Sequence, residues 1–204
     1  MDVLDSIWTY AQGMDLLEAA GLVFGLACVW LLIRENIWTW PLGIAYVLVS
    51  FVVFYQARLY ADLALHAVFL VLNVYGWVHW ARGDPRSDDD LPVTASAPRR
   101  LAGILALSGL GVLLCGTLLA RFTDASLPYW DSATSVLSIA AIWLQARKKI
   151  EHWILWLAVD VLATGIYLYK GIVFYAVLYL VYIGLAGAGY RAWRRAMHAG
   201  AVEA

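Results

Sequence analysis

Long apolar runs follow one another along almost the whole chain, separated by short charged or proline-containing breaks. Read from those runs and breaks, the pattern predicts helical spans at 16–33, 37–56, 60–80, 101–121, 131–146, 150–169 and 172–193. Each approaches the roughly 20 mostly apolar residues that a helix needs to cross a hydrocarbon layer of about 30 Å. The one long polar interruption, Ala81 to Arg100, contains Gly83, Pro85, Asp88, Asp89, Asp90, Pro92 and Pro98 and is expected to bury nothing in lipid. The stretch Met1 to Asp15 lacks a basic leader and a small-residue cleavage site, so it reads as a short interfacial helix carrying Trp8 and Tyr10 rather than as a removed signal.

Composition agrees with the runs. Hydrophobic residues make up 63% of the 204 positions and charged residues 14%, against roughly 45–50% apolar in an ordinary soluble domain. The expected class is an all-α integral membrane protein forming a single transmembrane unit over 1–204, with the lipid bilayer as its solvent. A net charge of -1, with cations confined to helix ends, argues against nucleic acid as a partner. Arg34, Arg82, Arg86, Arg99, Arg100, Arg147, Lys148, Lys149, Arg191, Arg194 and Arg195 fall on one side of the spans and only Arg58, Arg121 and Lys170 on the other. That bias predicts an outside N-terminus and a cytoplasmic C-terminus.

Laid on itself, the chain matches Trp30 with Trp143, Arg34 with Arg147, Trp40 with Trp153, Gly76 with Gly189 and Trp80 with Trp193, always 113 residues apart. A gap-free offset carrying three tryptophan pairs predicts a duplication, repeat one at about 16–80 and repeat two at about 131–193. Three spans per copy would invert the second copy. The uncharged helix 101–121, reached through the linker 81–100, restores its direction, so the expected architecture is seven helices arranged three plus one plus three, with parallel repeats.

Polar side chains at bilayer depth are candidates for function because lipid offers them no partner. In the third span Asp62, His66, Phe69, Asn73 and Trp77 recur at helical steps; in the sixth Trp153, Trp156, Asp160, Thr164 and Tyr167 do so; in the seventh Tyr175, Tyr179 and Tyr182 follow. Together with Tyr46 these stripes suit a cavity that stacks a planar ring and hydrogen-bonds its substituents. The expected binding residues are Asp160, Asn73, His66, Trp153, Trp156, Tyr182, Tyr179, Tyr167, Tyr46 and Thr164. Such residues serve equally well as glue between helices. The cluster Arg147, Lys148, Lys149 reads as a topological anchor with Glu151 pairing to it, and Trp38, Trp80, Trp130 and Trp193 as interfacial belt residues. Cys28 and Cys115 lie within apolar runs and read as small core residues. No metal or cofactor site is expected, and the absence of HExxH, GxSxG or a cysteine beside a base argues against an intramembrane enzyme.

Several segments carry more than periodicity: Trp38-Thr-Trp-Pro-Leu-Gly43, Leu59-Tyr-Ala-Asp62, Asn73-Val-Tyr-Gly-Trp77, Ala146-Arg-Lys-Lys149, Trp153 through Trp156 to Asp160, and Tyr167-Leu-Tyr-Lys-Gly171. In that order they resemble the PnuC family of bacterial vitamin transporters, from about residue 20 to 193. The resemblance implies a three-plus-one-plus-three fold in the bacterial inner membrane that takes up a B-vitamin precursor by facilitated diffusion, with a cytoplasmic kinase trapping the substrate by phosphorylation. Nicotinamide riboside is the default substrate, with thiamine, riboflavin or a nucleoside as alternatives. A non-transporting membrane subunit is the remaining class, and a homo-oligomer stays open. The chain departs from the family pattern at His66 and Ile142, where glutamine is frequent, and at Glu151-His152-Trp153, where the family often reads Glu-Asn-Trp. Replacing amides changes the donors and acceptors open to a ligand.

Overall fold

The computed structural model describes residues 3–56, 58, 60–84 and 91–203. It contains eight helices among them: α1 (Val3–Gly13), α2 (Leu16–Ile33), α3 (Thr39–Gln56), α4 (Tyr60–Ala81), α5 (Pro98–Phe122), α6 (Pro128–Ala146), α7 (His152–Tyr169) and α8 (Val173–Glu203). Six are long and apolar enough to cross a membrane, namely α2, α3, α4 from Asp62, α5, α7 and α8 to Gly200. The seventh expected span, 131–146, is helical within α6 but is not among the six. Ser132, Thr134, Ser135, Ser138 and Gln145 lower its apolarity, and eight of its 19 residues are buried, Ser132, Ser138 and Gln145 included. This helix turns hydroxyls and an amide toward protein, where an apolar run is not required.

Local chemistry sets the helix ends. The Asp15 carboxylate accepts from the Glu18 N–H at 2.7 Å and caps α2, while Pro98 and Pro128 open α5 and α6 where a missing N–H costs nothing. α2 and α6 close in the same way. The Glu35 and Asn36 N–H groups donate to Leu32 and Leu31 carbonyls, and the Lys148 and Lys149 N–H groups to those of Gln145 and Leu144. Each closure places the residue after the C-cap in the left-handed region, Glu35 at φ 53° and Lys148 at φ 46°. Glycine normally fills that position, as Gly171 does after α7 at φ 71°. The last helix runs ten residues past the predicted 193, since Arg194, Arg195, Ala196 and Met197 end the apolar run yet are good helix formers.

Six helices contact one another in a closed cycle: α2 with α3, α3 with α4, α4 with α6, α6 with α7, α7 with α8, and α8 with α2. Outside the cycle, α5 packs on α6 and α1 on α8. Gly76 permits the approach of α4 to α3, since a Cβ there would lie 2.3 Å from the Trp40 ring. Gly189 does the same for α8 and α7, with a Cβ 2.3 Å from the Trp153 ring.

Residues 93–96 of the linker are tied to the α6–α7 turn. Val93 is buried, the Thr94 N–H donates to the Lys148 carbonyl and the Ile150 N–H to the Thr94 carbonyl, both at 3.0 Å. Glu151, expected to pair with the neighbouring cations, instead accepts from the Ser96 N–H at 2.7 Å and hydroxyl at 3.1 Å. Pro85 and Asp88 to Asp90 of the predicted linker lie outside the described residues.

Candidate substrate site within the helix ring

At the end of the cycle that bears the α2–α3 and α6–α7 turns, Trp40, Trp80, Trp153, Trp193 and His152 form a buried aromatic cluster. Trp40 meets Trp80 edge-on at 5.4 Å, Trp80 lies 6.0 Å from Trp193, and His152 sits 4.5 Å from Trp193 and 4.6 Å from Trp153. Two of the indoles cross between the halves of the chain. Trp80 Nε1 donates to the Ala146 carbonyl at 3.1 Å, and Trp193 Nε1 to the Leu32 carbonyl at 2.9 Å. Trp80 and Trp193, expected in an interfacial belt, are therefore core residues, 5% and 0% exposed. Trp38 and Trp130 are exposed, as belt residues are. The distinction lies in the indole N–H, which here reaches a helix-end carbonyl instead of a headgroup.

The same end holds an ion pair between the buried Lys148 and the partly exposed Glu35, Nζ to Oε2 at 3.1 Å, with the ammonium 4.7 Å above the Trp80 ring. Arg34 and Arg147 each cover a tryptophan one turn back, Trp30 at 4.5 Å and Trp143 at 4.2 Å. Of the basic triplet read as an anchor, Lys148 is thus committed to an internal contact, and Lys149 Nζ donates to the Thr94 hydroxyl at 2.7 Å.

About two helical turns further along, roughly 10 Å at 1.5 Å per residue, the lining changes from tryptophan to tyrosine. Tyr46 of α3 lies within electrostatic range of Tyr167, Tyr179 and Tyr182, and Asp160 within range of Tyr179 and Tyr182. Tyr167 stacks on Tyr179 at 5.4 Å and on Tyr175 at 5.1 Å. The Tyr182 hydroxyl reaches to α2, 2.7 Å from where a Cβ on Gly25 would stand. Asp160 is buried, its carbonyl accepting from the Thr164 hydroxyl at 2.7 Å. The structure thus brings Asp160, Thr164, Tyr46, Tyr167, Tyr179 and Tyr182 into one neighbourhood.

The remaining candidates have their own settings. His66 is buried, its Nδ1–H donating to the Asp62 carbonyl at 2.9 Å, and its ring is flanked by Phe54 at 4.6 Å, Phe69 at 5.2 Å and Tyr46 at 6.4 Å. Asn73 donates to the Phe69 carbonyl at 2.8 Å and turns its Oδ1 toward Gly43 of α3. Trp156 donates to Gln145 Oε1 at 3.0 Å, whereas Trp153 belongs to the tryptophan cluster with its Nε1 buried and unpartnered. Trp77, on the predicted third-span stripe, is 42% exposed.

Sequence reasoning missed Gln145 and the Glu35–Lys148 pair. Gln145 lies one turn from Ile142 on the same helix face, which was the available signal for an amide supplied from a shifted position. Glu35 and Lys148 stand at the 113-residue offset with opposite charge, so a search for identical pairs passes over them.

At the far end Tyr10 of α1 and Tyr175 of α8 both donate to Glu18 of α2, Tyr175 at 2.5 Å, and Tyr10 stacks on Phe174 at 4.7 Å. Interior polar groups walled by aromatics within a closed ring of helices, most of them apolar enough to span, define a multi-pass membrane protein.

Comparison with known proteins narrows that class. The family model described as "Nicotinamide mononucleotide transporter" matches residues 15–195. The nicotinamide riboside transporter PnuC of Escherichia coli (strain K12) is 29% identical over 214 residues, covering 90% of this chain and 87% of the relative. The riboflavin/roseoflavin transporter RibM of Streptomyces davaonensis is 29% identical over 178 residues, covering 86% and 83%. The crystal structure of the vitamin B3 transporter PnuC superposes with a TM-score of 0.73 at 20% identity, over 96% of this chain and 90% of that one. The chain belongs to the nicotinamide mononucleotide transporter family, the PnuC-type vitamin transporters.

Proposed function

We propose that this protein is an uptake facilitator for a B-vitamin precursor, in the bacterial inner membrane with its N-terminus outside and C-terminus cytoplasmic. The observation that carries the reading is the closed cycle of six helices around the Asp160 and tyrosine interior, sealed at one end by the tryptophan cluster. Nicotinamide riboside is the first candidate substrate, from the E. coli relative, and riboflavin the second, from the Streptomyces relative. Thiamine and nucleosides follow. The ring of the substrate stacks among Tyr46, Tyr167, Tyr179 and Tyr182, with Trp153 and Trp156 as the floor. His66, Asn73, Thr164 and Asp160 meet its polar groups.

The architecture proposed with it is a duplicated three-helix unit, α2 to α4 and α6 to α8 in parallel, with α5 as the connecting helix. Paired features at the 113-residue offset support it: the two glycine–tryptophan contacts, the two left-handed closures and the two indoles, Trp80 and Trp193, that donate across the halves. Rocking of one unit against the other gives alternating access. The protein forms no product itself; a cytoplasmic kinase retains the substrate by phosphorylation. Purified protein in liposomes is expected to exchange labelled nicotinamide riboside for unlabelled in the absence of any ion gradient. Strict dependence on a proton or sodium gradient refutes the facilitator.

A further inference from the structure

The end of the ring opposite the tryptophan cluster is covered by α1, which packs on α8 and on no other described helix. Ile7 and Tyr10, one turn apart on its contact face, are half-buried, while Asp5, Trp8, Thr9, Ala11 and Gln12 are exposed. The helix therefore rests on the bundle through one narrow edge. Only Met14 and Asp15 join it to α2, and Asp15 belongs to α2 as its cap. A Cβ on Gly13 would meet nothing within 4 Å, so no neighbour wedges this joint.

Tyr10 carries the attachment. Its hydroxyl donates to Glu18 Oε1 in the first turn of α2, and Tyr175, at the start of α8, donates to the same oxygen at 2.5 Å. The Tyr10 ring stacks on Phe174 at 4.7 Å and meets Tyr175 edge-on at 5.8 Å. One carboxylate oxygen thus joins α1, α2 and α8 where the ring closes. From Tyr175 the stack continues inward through Tyr167 at 5.1 Å to Tyr179 at 5.4 Å. Tyr10 lies within electrostatic range of Tyr167, as do Asp62 of α4 and Asp131 of α6, so it faces the mouth of the path and not the outer wall of the bundle. One charge-assisted bond and one stacked ring are a small attachment for a helix of 11 residues. Segments held by so few contacts are the ones that open in function.

We propose that α1 is the lid of the outer mouth, turning about Gly13 and Met14 and latched by Tyr10 on Glu18, so that substrate reaches the tyrosine interior only when the latch opens. This rests on the transport reading above and adds to it the gate on the outer side. With the lid latched and the tryptophan cluster intact, the path is shut at both ends. Unlatching leaves Tyr175 bonded to Glu18, so the ring of helices stays joined there while its mouth is uncovered.

The test is the labelling rate of a buried cysteine in the path, read without any substrate. The reporter is Thr164→Cys, a near-isosteric change, in the full chain with Cys28→Ser and Cys115→Ser, reconstituted in liposomes and treated with an impermeant trimethylammonium methanethiosulfonate. Tyr10→Phe keeps the stack on Phe174 but drops the bond, and is expected to raise the rate at least threefold. Tyr10→Ala drops both and is expected to raise it at least tenfold. Glu18→Gln weakens the latch from the other side and is expected to match Tyr10→Phe. Ser108→Cys, buried on α5 outside the ring, serves as the second reporter, and its rate is expected to stay the same in all three variants. Equal rates at Thr164→Cys with and without the Tyr10 changes, or an equal rise at both reporters, overturn the lid and leave the transport reading standing. Failure of the wild-type chain to exchange nicotinamide riboside, thiamine or riboflavin overturns that reading, and the lid's part in entry with it.

Discussion

The two ends of the interior path are built from different aromatics. Around the α2–α3 and α6–α7 turns, four tryptophans and a histidine fill space completely, none more than 5% exposed. Around Asp160 the residues are tyrosines left partly uncovered, Tyr46 being 38% exposed. Indoles suit the first task because each brings a large apolar area and one donor, and at Trp80 and Trp193 that donor ties one half of the chain to the other. Phenols suit the second because their hydroxyls serve as donor or acceptor while the ring faces remain open for stacking. Sealing needs filled volume, and binding needs unfilled volume with polar groups at its edge. The tryptophan end is therefore where substitutions cost stability, and the tyrosine interior is where they cost affinity.

The sharpest way to break that division is to overfill the seal. A Cβ at Gly189 already collides with the Trp153 ring, so Gly189→Val is expected to cost about 3 kcal/mol or more and to abolish monodisperse material in size-exclusion chromatography. The same change at Gly165, which faces open space, should be tolerated far better.

Next in size is the Glu35–Lys148 ion pair, of which the lysine is buried. Glu35→Ala leaves the Lys148 ammonium buried without its carboxylate and should destabilise by about 3 kcal/mol, read as a fall in the melting transition. Glu35→Gly should be milder than Glu35→Ala by about 1 kcal/mol, because position 35 is in the left-handed region that glycine adopts freely. If alanine and glycine are equally damaging, the strain assigned to that turn is absent.

The smallest effect on stability belongs to the interior. Tyr182→Phe removes only the hydroxyl that reaches toward Gly25, and its melting transition should stay within about 1 kcal/mol of wild type while substrate affinity falls roughly three- to tenfold. Unchanged affinity would remove Tyr182 from the site.

Much of the protein was legible before any coordinates. A span must present some 20 apolar residues to lipid, and that demand writes itself into the sequence as runs, so α2, α3, α4, α5 and α7 begin or end within three residues of expectation. Failure came where lipid makes no demand. α6 is helical where a span was expected, but with serines and Gln145 turned against protein it is not among the helices apolar enough to cross a membrane. The end of α8 lies beyond the apolar run and is helical through its own propensity.

The polar stripes identified the helices that carry the candidate site, because a helical period places every third or fourth residue on one face. Which members of a stripe meet was a tertiary matter. Asp160, Tyr46, Tyr167, Tyr179 and Tyr182 converge from three helices, whereas Trp77 turns outward and Trp153 joins the seal. Tryptophan spacing revealed the 113-residue offset, yet Trp80 and Trp193 looked like belt residues until their indoles were seen on the carbonyls of Ala146 and Leu32. Sequence alone determined the membrane class, the family and the helices bearing polar groups, since lipid exposure and helical period act locally along the chain. Only the tertiary structure decided which aromatics seal and which line, and that Glu35 reaches Lys148, because those contacts join different helices, in the ion pair across 113 positions of the chain.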